Sequence, residues 1–344
     1  MSGALFGSPV GSVYEALASA PPTRAMAVAV NAPRKNAREV KDRPIFGVYA
    51  RLHHADSRAL LRESPLVPRL LESAALQLRV AKRLAPRRGA SFGERLGRLD
   101  ERFVFVVGSP RSGTTFLAGA LGSLPGFVDL GEVAPVKAAV PELSGLPPAE
   151  AARRLHRTLT IARRVGLVGS VRPVEQTPEL AHLVDAALLA YPAARVVHIV
   201  RDGRDVVCSL LEKRWLKPSG GGMDDAGVAY GTYARFWVEP KRRDEFERVS
   251  DARRAAWAWR RYVSAARSAR GPVLELRYEH VVSNPASTAT ELARHLEVQS
   301  DDVIRALGRG HPGSVGRYRR DLTADQLADV EAEAGDLLRE LGYL

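Results

Sequence analysis

The run Phe103-Val-Phe-Val-Val107 passes directly into Gly108-Ser-Pro-Arg-Ser-Gly-Thr-Thr115 and then into Phe116-Leu-Ala-Gly-Ala-Leu121. Five consecutive apolar residues, three of them valine, fit a strand buried on both faces in the centre of a parallel sheet. The glycine-spaced loop then delivers the chain to a helix, whose first N–H groups have no partners of their own and face whatever sits on the loop. Strand, loop and helix in this order make a cradle for a phosphate or a similar anion.

Gly108 and Gly113 have the spacing of a P-loop, but Thr114 occupies the position after the second glycine where a P-loop carries lysine. That lysine reaches the β- and γ-phosphates of a nucleoside triphosphate, so its absence argues against ordinary ATP or GTP hydrolysis. Arg111, inside the loop, is the candidate to hold a 5′-phosphate and the group attached to it. The cradle therefore points to a different donor.

Beyond the loop the pattern alternates. A turn at Pro125-Gly126 leads to a short segment over 127–130, then to a helical region reaching about Val165, interrupted at Pro141 and at Pro147-Pro148. Apolar runs predict strands over 171–175, 195–200 and 272–277, and helices over 178–189 and 202–213. Strands separated by helices imply an α/β, three-layer P-loop-like fold: a central parallel β-sheet flanked by helices, with right-handed crossovers. Ligands of such sheets bind beyond the carboxyl ends of the strands, where Gly108, Glu175 and Arg201 all fall. Residues 215–250 contain Gly220-Gly-Gly222 followed by Tyr230, Tyr233, Phe236 and Trp237. They read as a substrate lid, or as a surface loop whose aromatic residues pack locally.

With 344 residues, 45% apolar and 26% charged, the chain has the composition of a soluble globular protein and the length of an enzyme. No run of about 18 apolar residues occurs and the first residues lack a signal-peptide layout, so a cytoplasmic location is expected. The single cysteine, Cys208, excludes an internal disulfide, argues against structural zinc and reads as a small packed residue. Residues 1–100 hold 17 Lys and Arg against 8 Asp and Glu, or +9 of the net +12. Sparse aromatics and the lack of a zinc-finger or RNA-recognition pattern argue against nucleic acid. Peripheral contact with an acidic membrane and a plain solvated basic surface both stay open. Residues 1–45 read as a loose arm. Residues 57–84 have apolar positions at helical spacing, broken at Pro65 and Pro68, that suit packing on the core, pairing into a homo-oligomer or lying on a membrane. The expected division is a basic, partly helical extension over 1–100 and one catalytic domain over 101–344.

A second anion site is suggested by Arg201-Asp-Gly-Arg-Asp-Val-Val-Cys-Ser209, at the exit of a buried strand and across the first turns of a helix. Arg201 offers a planar fork of donors and Ser209 a hydroxyl; Asp202, Arg204 and Asp205 read as helix-start and surface charges. Together with the cradle, this segment resembles the nucleotide-binding signatures of the PAPS-dependent sulfotransferases, PAPS being 3′-phosphoadenosine 5′-phosphosulfate. The resemblance implies that Pro110, Arg111, Ser112, Gly113, Thr114 and Thr115 hold the 5′-phosphosulfate, and that Arg201 and Ser209 hold the 3′-phosphate. Leu276-Arg-Tyr-Glu-His-Val-Val282 resembles the family's tyrosine segment near the adenosine, with Tyr278 as its tyrosine. Gly313-Ser-Val-Gly-Arg-Tyr-Arg319 resembles the closing loop, with Ser314 and Arg317 as phosphate contacts. The likeness runs from about Arg102 to Leu344.

The cytosolic branch has a His after a Lys-Thr pair following the third strand, but here the run is Glu175-Gln-Thr-Pro178, with Gln176 and Pro178 in those places. The tyrosylprotein, carbohydrate and bacterial branches use the Glu of a Gly-Glu pair, which Gly131-Glu132 matches. Glu132 is thus the leading general base, with a helix-dipole carboxylate as its alternative role. Glu175 and His182 are the fallback candidates, and His182 also suits a helix surface. The implied reaction moves a sulfuryl group from PAPS, without a metal, to a hydroxyl or amine of a small-molecule, carbohydrate or lipid acceptor. A P-loop-like nucleotide kinase or NTPase and a non-catalytic nucleotide-binding scaffold are the rival readings.

Overall fold

Side chains alternate across a strand, and in the 103–107 run this alternation separates two cores. The computed structural model describes Leu78 and residues 98–164, 170–213, 235–308 and 312–344, all within one unit spanning Val48–Leu344. Phe103, Phe105 and Val107 enter one apolar cluster, while Val104 and Val106 enter the other. A strand apolar on both faces can be satisfied only between two helical layers. Fully burying each Phe, Leu or Val stabilises by roughly 1.5–3 kcal/mol.

The elements are, in order, β1 (Arg98–Leu99), β2 (Val104–Val107), α1 (Thr114–Leu121), β3 (Phe127–Gly131), α2 (Ala134–Leu143), α3 (Pro148–Arg164), β4 (Ser170–Glu175), α4 (Val184–Ala190), β5 (Arg195–Val200), α5 (Gly203–Leu211), α6 (Arg243–Arg248), α7 (Asp251–Arg267), β6 (Val273–Arg277), α8 (Tyr278–Ser283), α9 (Pro285–Leu296), α10 (Ser300–Leu307), α11 (Tyr318–Asp321) and α12 (Ala324–Glu340). All strand pairings are parallel, in the order β3-β4-β2-β5-β6, with β1 pairing the start of β4. Helices cover both faces, so the expected three-layer α/β architecture is present. β5 has the boundaries its apolar run predicts.

Three local expectations are corrected. Pro141 lies inside α2, near its end, and does not interrupt it; that late in a ten-residue helix, only one backbone hydrogen bond is lost to the ring. The region after Pro178 opens as a 3₁₀ helix over Pro178–Leu183 and becomes α-helical only from Val184. Asp205 is fully buried, not a surface charge. Cys208 is packed in the core, where burial pushes its thiol up to about 11. Apart from Leu78 and 98–100, the basic extension lies outside the described residues, as do positions 214–234 of the suggested lid. The described remainder of that segment is anchored: Trp237 is buried against Phe246 and Tyr262, and Phe236 packs on His182.

The indole of Trp259, wholly buried in α7, donates through Nε1 to the Arg201 carbonyl at 3.0 Å and lies flat against Gly203. A Cβ at position 203 would stand 2.8 Å from that ring. Gly203→Ala is therefore expected to destabilise by about 1–3 kcal/mol through overpacking, lowering Tm by several degrees. Calorimetric melting of the two proteins measures this; an unchanged Tm would refute the packing argument.

Candidate functional site

Five strands of one parallel sheet end on the same side, and each delivers part of one site. From β2 comes the loop 108–113. Gly113, with φ of 99°, is in a left-handed conformation, and a Cβ there would stand 2.6 Å from the Tyr278 ring. Arg111 is also left-handed, at φ 73°. The loop thus carries strain of the kind that concentrates at binding sites. The side chain of Arg111 donates from Nε to Ser209 Oγ at 2.9 Å, which joins the cradle to α5. Thr114 is buried in the first turn of α1, and Thr115 donates to Gln176 Oε1 at 3.2 Å. Pro110 is half-buried, and its carbonyl accepts a hydrogen bond from Ser109 Oγ at 3.2 Å.

From β5 comes Arg201, buried at the strand's exit. Its Nη1 donates to the Arg111 carbonyl at 3.4 Å, its Nη2 donates to the Ser314 carbonyl, and its guanidinium lies 4.8 Å over the Tyr278 ring. Asp205, one helical turn on, stands 3.8 Å from Nη2. The same carboxylate accepts from the backbone N–H of Gly316 at 2.7 Å and of Tyr318 at 3.0 Å, which ties the closing segment to the site. Tyr278, delivered by β6, has its hydroxyl 3.3 Å from Ser314 Oγ. Arg111, Arg201, Ser209, Tyr278 and Ser314 are therefore brought together. Arg317 instead pairs with Glu212 and Asp321, both at 2.7 Å, and its guanidinium is directed to them. Asp202 caps α5 and pairs with Arg204, which lies 4.0 Å over the ring of Tyr318.

Two polar atoms in this cluster are buried with no protein partner: Ser112 Oγ and Arg201 Nε. An unmet donor costs about 1–3 kcal/mol, more for a charged group. Both are donors of the kind that anionic oxygens satisfy, so the donor set suits phosphate groups.

β3 and β4 bring carboxylates. Glu132 follows the end of β3 and its Oε2 is bound by the ammonium of Lys137 in α2. Lys137 is itself buried and also lies 3.6 Å from Glu179 Oε1. Glu175, at the end of β4, is fully buried; it accepts from the backbone N–H of Thr177 at 3.0 and 3.1 Å, from the Thr177 hydroxyl and from the Val133 N–H at 3.3 Å. Burial raises its pKa to about 7, the Thr177 and Val133 hydrogen bonds oppose the rise, and the neighbouring Glu132 charge adds to it. His182 lies on the 3₁₀ helix between Phe236 and Tyr262, with its Nε2 shut away and unpartnered. Burial, then the charge of Arg261, pushes its pKa down to about 3. It is a neutral ring wedged among aromatics, not a helix-surface residue.

Sequence reasoning missed Lys137, Glu179 and the structural part of Asp205. A signal for Lys137 existed: it stands five positions after Glu132. These are the positions just before a helix cap and at its fourth residue, whose side chains meet across the first turn.

Residues 149–302 match the model of the Sulfotransferase family. The match begins beyond the cradle and contains Glu175, Arg201, Ser209 and Tyr278. Similar solved structures include the sulfotransferase domain of the Synechococcus PCC 7002 olefin synthase, 16% identical, with 69% of this chain and 96% of that one covered and a TM-score of 0.38. Mouse sulfotransferase SULT7A1 complexed with PAP is 14% identical, over 73% and 90% of the two chains, with a TM-score of 0.39. Sulfotransferase STF1 from Mycobacterium tuberculosis is 17% identical, over 84% and 90%, with a TM-score of 0.38. No curated protein matches the chain by sequence. Among the described residues no helix is long and apolar enough to cross a membrane.

Because the folded-state pKa of Glu175 lies above its ordinary value of 4.5, its contribution to stability is fully present below about pH 4.5 and is lost as pH rises through about 7. Glu175→Gln removes that loss. The Tm of the variant, relative to the unmodified protein, is expected to climb between pH 5 and pH 8 in thermal melts. A difference that stays flat over this range would contradict the buried, proton-holding carboxyl.

Proposed function

We infer, from this chain's membership of the sulfotransferase family together with its anion cradle, that it transfers a sulfuryl group from PAPS to a hydroxyl or amine of a small-molecule, carbohydrate or lipid acceptor. The observation that carries the choice of donor is the linkage of Arg111, Ser209, Arg201, Ser314 and Tyr278, with Ser112 Oγ and Arg201 Nε buried and unpartnered beside it. The loop lacks a lysine to reach a γ-phosphate, which fits a donor that has none.

When bound, PAPS supplies the sulfuryl group and departs as 3′-phosphoadenosine 5′-phosphate (PAP), keeping the electron pair of the broken sulfur–oxygen bond. The loop amides, Ser112, Thr114, Thr115 and Arg111 hold its 5′ end, and Arg201 and Ser209 hold its 3′-phosphate. Tyr278 and Ser314 flank the nucleotide. Glu132 takes the acceptor's proton as the acceptor oxygen bonds to sulfur, a contribution worth about 10²–10⁴ in rate. Arg111 and the N-terminus of α1 stabilise the negative charge that grows on the leaving oxygen. Glu175 and His182 fit the base less well, being enclosed by Thr177 and Val133 in one case and by aromatic rings in the other.

Titration calorimetry tests the donor. PAP should bind in preference to ATP; tighter binding of ATP would overturn the assignment. Arg201→Ala should weaken PAP by about 10- to 100-fold, the worth of a charge-assisted hydrogen bond, and weaken AMP far less. Equal weakening of both would remove Arg201 from the 3′-phosphate. Glu132→Gln is expected to keep PAP affinity while its turnover of PAPS falls at least about 100-fold; near-normal turnover would dismiss Glu132 as base.

A further inference from the structure

The ammonium of Lys137 is buried in the first turns of α2, and no surface role accounts for it. Burying a lysine is costly unless carboxylates compensate the charge. Its two carboxylate partners come from different segments: Glu132 from the β3–α2 connection and Glu179 from the 3₁₀ helix after β4. Side chains of a helix tilt toward its N-terminus, so Lys137 points back over the first turn to the residue before the cap. Lys137 and Glu132 therefore meet across the turn, as the two apolar residues of a hydrophobic staple do, but as an ion pair. Glu132 is anchored at one oxygen by this contact and is partly open to solvent, with its side chain 26% exposed against 5% for Lys137.

Among the described residues, the titratable groups facing Glu132 include Lys137, Glu179 behind it and Glu175 on β4, which accepts from the N–H of Val133, the residue after Glu132.

We propose that Lys137 is a positioning residue for the sulfuryl-transfer step: its ammonium, held against Oε2, fixes the rotamer of Glu132 from which that carboxylate accepts the acceptor's proton. The proposal rests on Glu132 being the base, and adds to it a specific residue that the cradle, the nucleotide contacts and the Gly-Glu pair do not supply. Among the described residues Lys137 is the only buried lysine.

The experiment follows the side-chain carboxyl carbon of Glu132 by ¹³C NMR as pH is varied, in protein labelled at glutamate, with the resonance assigned by its loss in Glu132→Gln. Lys137→Met takes away the buried ammonium beside Glu179 and can fail to fold, so the informative variant is Lys137→Met with Glu179→Gln, which removes one charge of each sign. Lys137 is the nearer of the two to Glu132, so the titration midpoint of Glu132 should rise by more than about 0.5 pH unit in the double variant. In Lys137→Arg it should stay within that margin. A smaller rise in the double variant, or an equal rise in Lys137→Arg, overturns the proposal. PAP affinity should change less than about twofold in both; its loss in the double variant would mean that Lys137 supports the fold at large, which also overturns it. The base assignment fails separately, through Glu132→Gln with near-normal turnover, and that result leaves the NMR coupling between Lys137 and Glu132 standing.

Discussion

A buried guanidinium at the end of β5 organises this end of the molecule. Arg201 cannot shed its charge, so everything around it must supply acceptors or neutralise it. Each partner comes from a different part of the chain: the Arg111 carbonyl from the loop after β2, the Ser314 carbonyl from the closing segment, Asp205 from α5 and the Tyr278 ring from β6. Its own carbonyl accepts from Trp259 of α7. One residue therefore fixes where the ends of β2, β5 and β6 and the closing segment sit relative to one another. Asp205 does the same for the segment after α10, by taking the N–H groups of Gly316 and Tyr318 while facing Arg201. What these contacts leave over is Arg201 Nε, which has no protein partner. A buried cation with a donor left unmet suits a ligand that can accept from it.

The parallel sheet makes this convergence unavoidable. Strands that run the same way end on the same side, so residues far apart in sequence, such as Ser112, Glu132, Glu175, Arg201 and Tyr278, reach one edge without any long loop. Their separation along the edge is set by the strand order β3-β4-β2-β5-β6. The proposed nucleotide contacts come from β2, β5 and β6, and the carboxylates from β3 and β4. The edge thus has arginines on one half and glutamates on the other, and under the proposed function the sulfuryl group crosses between them.

The fold was legible because its central strands are uninterrupted apolar runs, and β5 was readable to the residue. The cradle and Arg201-to-Ser209 were legible because their meaning lies in local spacing. Two kinds of feature were not. The helix Asp251–Arg267 buries Trp257, Trp259 and Tyr262 among arginines, and that placement depends on partners such as Glu239, Glu333 and the Arg201 carbonyl that lie far away in sequence. Asp205 reads as one charge in a charged helix start, and only the closing segment's amides explain its burial. Lys137 is of the same sort: its charge is visible, but Glu179 reaches it only after β4 has returned the chain to the site.

The two carboxylates at the acidic half show how environment sorts chemically identical groups. Glu175 is held, fully buried, by backbone and hydroxyl donors, and burial lifts its pKa to about 7 despite those hydrogen bonds. Glu132 is the outer member, partly open, with an ammonium against one oxygen. Of the two, the outer carboxylate has both an opening to solvent and a cation against it. The inner one has neither, and it holds the backbone of Val133 and Thr177, from which Glu132 and Lys137 take their positions. A group that anchors the turn is poorly suited to giving up its hydrogen bonds each cycle. Under the proposed function, support and proton transfer are divided between neighbouring glutamates, with the transfer proposed for the one beside Lys137.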